Sequence, residues 1–121
     1  MDELKIAFDL DGVICSNSPD DYNQAIPNKF VIQTINKLKD QGHHISIYTS
    51  RYMGRLNENL FDINQHGFER ITKQLKGWGV KYDRLILGKP RYDLLIDDKA
   101  FGYKDPSDLK NHLSSALNIE I

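Results

Sequence analysis

Two aspartates one residue apart, Asp9 and Asp11, stand between apolar runs in the segment IAFDLDGVIC. Burying unpaired carboxylates is costly, so such a pair belongs either to a solvated turn or to a site that contains a cation. Side chains alternate along an extended segment, so Asp9 and Asp11 are expected to point to a similar side. Gly12 follows at once and permits a tight turn and the close approach of a substrate.

Further polar side chains follow two other apolar segments: Thr49, Ser50 and Arg51 after one, Asp97 and Asp98 after another. Ligands of open parallel sheets bind beyond the carboxyl ends of the strands, so these groups are expected to share one pocket with the first pair. Four carboxylates in one pocket cannot all stay ionised and unpaired. Oxygen ligands without His or Cys favour Mg²⁺.

The same pocket suits phosphoryl transfer, which asks mainly for positioning and charge neutralisation. Thr49, Arg51 and Lys89 supply a hydroxyl, a guanidinium and an ammonium for a phosphoryl group. Asp9, at a strand tip, can attack phosphorus and form an aspartyl-phosphate. Asp11 can protonate the leaving oxygen and later activate water.

The elements that must position these residues alternate along the chain. Apolar runs predict four short strands, over Leu4–Phe8, Ile45–Tyr48, Arg84–Leu87 and Leu94–Ile96. Helical spacing predicts three helices: one from Pro27 with Val31, Ile35 and Leu38 buried, one with Phe68, Ile71, Leu75 and Trp78 buried, and one from Asp105 with Leu109, Leu113 and Leu117 buried. Segments 11–26 and 52–66 are predicted to be loop, the second for the most part.

This alternation predicts an α/β fold, with a short and mainly parallel sheet. One connection is unusual, because only Gly88 to Asp93 joins the third and fourth predicted strands. A parallel crossover usually needs about a dozen residues or more. Either this connection is a tight excursion across the sheet edge, or one strand is irregular or antiparallel. Arg51, Arg91 and Lys99 could substitute for Lys89 if it is misplaced.

Length and composition indicate one ordinary globular domain over residues 1–121, with a formal net charge of −1. That charge makes nucleic acid an unlikely partner. A single cysteine, Cys15, excludes an internal disulfide and is expected to be a small packed side chain. His43 and His44 are expected to be solvated. A polar N-terminus and the lack of a membrane-spanning run predict a cytoplasmic protein.

Four motifs in order, DLDGV, YTSR, GKP and LLIDDKA, resemble those of the haloacid dehalogenase (HAD) superfamily over nearly the whole chain. The longer strings TSRYMGR and GKPRYDLLIDDKA resemble the small capless members associated with capsule or lipopolysaccharide sugar pathways. The resemblance implies a Rossmann-like three-layer α/β/α core without a cap domain. It also implies Mg²⁺-dependent phosphatase activity.

The resemblance assigns roles to individual residues. It makes Asp9 the nucleophile, Asp11 the general acid and base, and Thr49 and Lys89 the groups that bind the transferring phosphoryl group. Metal binding falls to Asp9, to the backbone carbonyl of Asp11 and to Asp98. The remaining roles are support of the metal by Asp97 and substrate binding by Gly12, Ser50 and Arg51. Arg51 lies at a position where the polynucleotide 3′-phosphatase branch carries an arginine.

Three functions remain open from the sequence. The first is a phosphomonoesterase for a small phosphorylated metabolite, such as a sugar phosphate. The second is a phosphatase for nucleic-acid 3′-ends or phosphoproteins. The third is a non-catalytic receiver-like domain that accepts a phosphoryl group. Since no cap is expected, a second copy of the chain could cover the open site.

Overall fold

The computed structural model describes residues 3–54, 56–57 and 59–121. The chain groups into two compact units, Met1–Arg91 and Tyr92–Ile121. Within the described part, no helix has the length and apolar character needed to cross a membrane.

The first unit contains a sheet of three parallel strands. They are β1 (Lys5–Asp9), β2 (His44–Thr49) and β3 (Arg84–Leu87), with β2 in the middle. In the register, Asp9 pairs with Tyr48 and Thr49 pairs with Leu87. The predicted α/β fold and the first three predicted strands are therefore confirmed. Because all three strands run the same way, their carboxyl ends lie at one edge of the sheet.

Helix α1 (Lys29–Asp40) joins β1 to β2. It begins two residues later than Pro27, because the Asn28 side chain caps it by accepting from the amides of Phe30 and Val31 at 3.2 Å. The predicted stripe of Val31, Ile35 and Leu38 is fully buried. Gly42 follows the helix with a φ of +95°, a conformation that favours glycine.

Helix α2 (Leu60–Gly77) is longer than the sequence indicates. The prediction that 52–66 is mostly loop is wrong over its last seven residues. Asn59 caps the helix by accepting from the amide of Asp62 at 3.1 Å. The buried stripe runs through Ile63, Gly67, Ile71 and Leu75. Gly67 takes a position of this stripe that an apolar side chain would normally fill, which hides the helical period in the sequence. Phe68, predicted to be buried, lies one position away from the stripe and is 44% exposed.

Gly67 is required where α2 passes the ring of Tyr52. A Cβ at Gly67 would stand 2.5 Å from two ring carbons of Tyr52, whose side chain is buried. We expect Gly67→Ala to lower the free energy of unfolding by about 1–3 kcal/mol through overpacking. Gly77→Ala, in the same helix with open space around it, should instead raise it by up to about 1 kcal/mol. Urea unfolding of both variants checks this, and equal effects would contradict it.

Asp83, the residue before β3, links the start of that strand to β2. Its amide donates to the carbonyl of Ile45, and its carboxylate accepts from the amide of Ile45, both at 2.8 Å. Lys39 of α1 pairs with the same carboxylate at 2.9 Å. The backbone hydrogen bond from Ile45, followed by the Lys39 contact, lowers the pKa of Asp83 below its usual value.

His43 is buried, so the expectation that it is solvated is wrong. Its Nδ1 accepts from the amide of Leu4 at 3.1 Å, and only 1% of the residue is exposed. The contact lies one residue before the first paired residues of β1 and β2, so the ring replaces a backbone acceptor there. His44 is half-buried at the start of β2.

The fourth predicted strand, Leu94–Ile96, does not form in the described second unit. Residues 94–97 have no regular secondary structure. Leu94 is 77% exposed and Ile96 is 89% exposed. The six residues from Gly88 to Asp93 are too few for an ordinary parallel crossover. The apolar run that follows them was therefore insufficient evidence for a fourth strand. Of the alternatives left open, the irregular segment is the observed one.

The second unit contains one helix, α3 (Pro106–Ser115). Asp105 caps it by accepting from the amide of Asp108 at 2.8 Å, and Pro106 takes the first helical position. Leu109 and Leu113 are buried as predicted. Leu117 lies beyond the helix end and is 45% exposed, which corrects its predicted place on the stripe.

Candidate active site

Three predicted site residues meet at the carboxyl edge of the sheet. Asp9 is the last residue of β1, and Thr49 is the last residue of β2. Lys89 follows β3, and its amide donates to the carbonyl of Thr49 at 3.0 Å. This bond continues the pairing of β2 with β3 beyond the last residue of the strand. The backbone of Lys89 is therefore fixed at the edge, despite the short segment that follows it.

Lys89 forms an ion pair with Asp9. Its Nζ lies 3.0 Å from Oδ2 of Asp9. The Lys89 side chain is 15% exposed and that of Asp9 is 38% exposed. The carboxylate of Asp9 can thus be reached from solvent, and Lys89 balances its charge.

A tight turn follows Asp9 and fixes the direction of Asp11. Leu10, between the two aspartates, is fully buried, and its carbonyl accepts from the amides of Ile14 at 2.9 Å and Cys15 at 3.2 Å. Gly12 has a φ of +90°, as the predicted tight turn requires. Leu10 lies in the core, while the side chains of Asp9 and Asp11 are 38% and 18% exposed. Substrate binding by Gly12 stays a prediction.

The guanidinium of Arg51 holds Asp11 through two nitrogens. Nε donates to Oδ2 of Asp11 at 2.9 Å and lies 3.2 Å from Oδ1, while Nη2 donates to Oδ1 at 2.8 Å. The side chains are 1% exposed for Arg51 and 18% exposed for Asp11. This is a charge-assisted bidentate pair in a site that is largely removed from water, which makes it a strong contact.

Arg51 is enclosed on its remaining sides. Nη1 donates to Oε1 of Gln74 at 2.6 Å, and the ring of Tyr22 lies 4.6 Å from the guanidinium carbon. Burial alone would lower the pKa of Arg51, but hydrogen bonds and attraction from Asp11 outweigh it and raise the pKa above its usual value. The structure makes Arg51 the buried partner of Asp11, and substrate binding by Arg51 stays a prediction.

Cys15 packs against the same ion pair. Its Sγ lies 3.4 Å from Oδ1 of Asp11, and it accepts from Nη2 of Arg51 at 3.5 Å. Burial, and then the charge of Asp11, raise the pKa of the Cys15 thiol to about 12. The thiol therefore stays protonated at neutral pH and is a poor nucleophile. This agrees with the predicted packing role.

Thr49 and Ser50 shape the backbone that leads to Arg51. Thr49 is 1% exposed, and its Oγ1 accepts from the amide of Arg51 at 3.1 Å. The carbonyl of Ser50 accepts from the amide of Met53 at 3.1 Å, closing a turn. These contacts turn the chain so that Arg51 enters the interior. Phosphate binding by Thr49 and substrate binding by Ser50 stay predictions.

The donor set fits a hard cation in part. Asp9 offers a solvent-accessible carboxylate at a strand end, which suits Mg²⁺. The Asp11 carboxylate is occupied by Arg51, which leaves its backbone carbonyl as the expected ligand. Within the described residues of either unit, no three His, Cys, Asp or Glu side chains come together as a metal-binding group.

Asp97 and Asp98 belong to the second unit. Oδ1 of Asp97 accepts from the amide of Lys99 at 2.6 Å, which closes a local turn, and both aspartates are exposed. Metal binding by Asp98 and support of the metal by Asp97 stay predictions.

Sequence reasoning missed two residues that surround Arg51, namely Tyr22 and Gln74. Gln74 had a visible signal, since it interrupts the buried face of α2 between Ile71 and Leu75. A polar residue on such a face needs a polar partner inside the protein. Tyr22 lies in the segment predicted as a loop, where it forms part of a short 3₁₀ helix, Tyr22–Gln24. Nothing in the sequence indicated that its ring would cover Arg51.

The strand order and the site at the carboxyl edge define the first unit as a Rossmann-like α/β domain. No model of a known protein family matches the chain, and no curated protein sequence matches it. A crystal structure of a structural-genomics target from Vibrio cholerae is similar, with 33% sequence identity and a TM-score of 0.77. The match covers 87% of this chain and 85% of that one. The chain belongs to the same family as this Vibrio cholerae protein.

Proposed function

We propose that this protein is a Mg²⁺-dependent phosphomonoesterase that acts on a small phosphorylated metabolite through an aspartyl-phosphate on Asp9. The observation that carries the proposal is the ion pair between Asp9 and Lys89 at the carboxyl edge of three parallel strands. The ordered motifs that resemble the HAD superfamily support the same activity. A sugar phosphate of surface-polysaccharide synthesis is the substrate class that the longer motif strings favour.

The residues of this edge divide the proposed reaction into two steps. In the first, a carboxylate oxygen of Asp9 bonds to phosphorus, the bond to the leaving oxygen breaks, and Asp11 gives that oxygen a proton. In the second, Asp11 takes a proton from water, the water oxygen bonds to phosphorus, and the Asp9 carboxylate leaves. Lys89 balances charge on the phosphoryl oxygens.

The two carboxylate oxygens of Asp11 differ in their contacts. Oδ1 is approached by both nitrogens of Arg51 and by the thiol of Cys15, whereas Oδ2 is approached by Nε of Arg51 alone. Oδ2 therefore has more room for a further hydrogen-bond partner, such as a substrate oxygen.

A bound Mg²⁺ would neutralise charge on the phosphoryl group and orient it toward Asp9. In the proposal, the Asp9 carboxylate and the Asp11 backbone carbonyl hold the ion, and metal binding by Asp98 stays a prediction from the sequence. A cytoplasmic location and a second copy that covers the site belong to the same proposal.

Two observations weigh against the alternatives. In the flavodoxin-like order of receiver domains, the first strand lies between the second and third, whereas here β2 lies between β1 and β3. Arg51, at a position where the polynucleotide 3′-phosphatase branch carries an arginine, is 1% exposed and has Asp11 and Gln74 as partners. The small-metabolite reading is therefore favoured.

A phosphate-release assay tests the proposal. Purified protein with Mg²⁺ should hydrolyse p-nitrophenyl phosphate and at least one member of a panel of sugar phosphates, nucleotides and amino-alcohol phosphates, and EDTA should abolish the activity. A 3′-phosphorylated oligonucleotide is included at low salt, where phosphate contacts are strongest. Selective hydrolysis of the oligonucleotide would replace the metabolite with a nucleic acid, and no release from any substrate would contradict the proposal.

A further inference from the structure

Gln74 joins three separate parts of the first unit through one side chain. Its Oε1 accepts from Nη1 of Arg51 at 2.6 Å, and its Nε2 donates to the backbone carbonyl of Tyr22 at 2.8 Å. Arginine only donates and a carbonyl only accepts, so these two partners identify the oxygen and the nitrogen of the Gln74 amide. Helix α2, the end of β2 and the segment that contains Tyr22 therefore meet at one amide group.

Besides Asp11, the described hydrogen-bond partners of the Arg51 guanidinium are Gln74 and Sγ of Cys15, the latter 3.5 Å from Nη2. Nε and Nη2 face Asp11, and Nη1 faces Gln74, on the opposite side of the fork. The ring of Tyr22 covers the guanidinium through a cation–π contact. Without Gln74, the planar guanidinium of Arg51 could rotate about its long axis, and the Asp11 carboxylate paired with it would rotate as well.

We propose that Gln74 is a positioning residue, which locks the Arg51 guanidinium between helix α2 and Tyr22 and thereby sets the orientation of the Asp11 carboxylate. The inference rests on the proposed function, because it assigns to Gln74 a part in the proton transfer by Asp11. Bidentate pairs contribute geometric specificity as well as energy, so the orientation of the arginine plane directly controls that of the carboxylate.

A positioning role predicts a specific kinetic signature. If Asp11 is turned away, the loss should be greatest for substrates whose leaving group needs a proton most. Phenyl phosphate has a more basic leaving group than p-nitrophenyl phosphate and a similar shape. The kcat/KM reports the first chemical step for both. A merely structural defect would lower both values by the same factor.

The test variant is Gln74→Met, which keeps the length of the side chain and removes both hydrogen bonds. We expect kcat/KM for phenyl phosphate to fall roughly tenfold or more, and that for p-nitrophenyl phosphate to fall about threefold or less. Gln65→Met is the matched control, because Gln65 lies on an exposed part of the same helix and should leave both values unchanged. Gln74→Glu keeps an acceptor for Arg51, so its kcat/KM values should lie between those of Gln74→Met and those of the wild type.

The outcomes separate this inference from the proposed function. A wild-type protein that hydrolyses neither aryl phosphate nor any substrate of the panel overturns the proposed function. An active wild type with equal losses on both aryl phosphates in Gln74→Met overturns the role of Gln74 alone. If Gln74→Met fails to fold, Gln74→Glu decides through the same ratio, which is kcat/KM for phenyl phosphate divided by kcat/KM for p-nitrophenyl phosphate. A wild-type ratio in Gln74→Glu, with no drop in either kcat/KM, overturns the inference.

Discussion

Asp9→Asn should lower phosphate release by at least about a thousandfold, because the amide cannot form the acyl-phosphate bond. The fold should survive, since the Asp9 side chain is 38% exposed and its ion pair with Lys89 lies near the surface. The comparison is made with p-nitrophenyl phosphate under saturating Mg²⁺. Circular dichroism and thermal melting of the same preparations show that the loss is chemical.

Asp20→Asn is the control for this experiment, because Asp20 is exposed in the segment that follows the turn from Leu10 to Cys15. It removes the same charge without touching the strand edge and should retain wild-type activity. An Asp9→Asn protein with more than about a tenth of wild-type activity would exclude Asp9 as the nucleophile.

Arg51→Met should have the largest effect on stability. It leaves the Asp11 carboxylate, 18% exposed, without its cation, and removes the donor that pairs with Gln74. We expect the free energy of unfolding to fall by about 2–4 kcal/mol, because breaking a largely buried pair leaves an uncompensated charge. Activity should fall with it, since Asp11 loses the contact that orients it. Urea unfolding and phosphate release measure the two effects.

Two further variants identify the cause of that loss. Arg70→Met removes an exposed arginine of α2 and should change the free energy of unfolding by less than about 0.5 kcal/mol. Adding Asp11→Asn to Arg51→Met removes the stranded charge and should restore part of the lost stability, although not the activity. If the double variant is as unstable as the sum of the two single changes, the two residues are not coupled in the way the geometry indicates.

The strand-end residues were predictable because parallel strands place their carboxyl ends together. Asp9 and Thr49 needed only that rule and the apolar runs before them. The predicted position of Lys89 also agrees with the structure, although its motif precedes a short connection. Its amide bond to Thr49 continues the pairing of the strands, and this information lies in the register rather than in the local sequence.

The predictions failed where tertiary contacts replaced a local signal. The first turns of α2 were missed because Gly67 occupies a buried position opposite Tyr52. The segment Leu94–Ile96 has the composition of a strand, but composition does not guarantee a partner edge. The sequence also contained no sign of how the Arg51 side chain is held. Only the packing of Tyr22 and Gln74 reveals that its donors turn inward.

The phosphorylation state of Asp9 during turnover tests the central claim most directly. Protein mixed with acetyl phosphate and Mg²⁺ is quenched in acid at successive times, and the adduct is located by mass spectrometry of peptides. The account predicts one phosphoryl group on Asp9 that appears early and disappears as phosphate is released, and none in Asp9→Asn. A lasting adduct without phosphate release, or phosphate release from an Asp9→Asn protein at the wild-type rate, would contradict it.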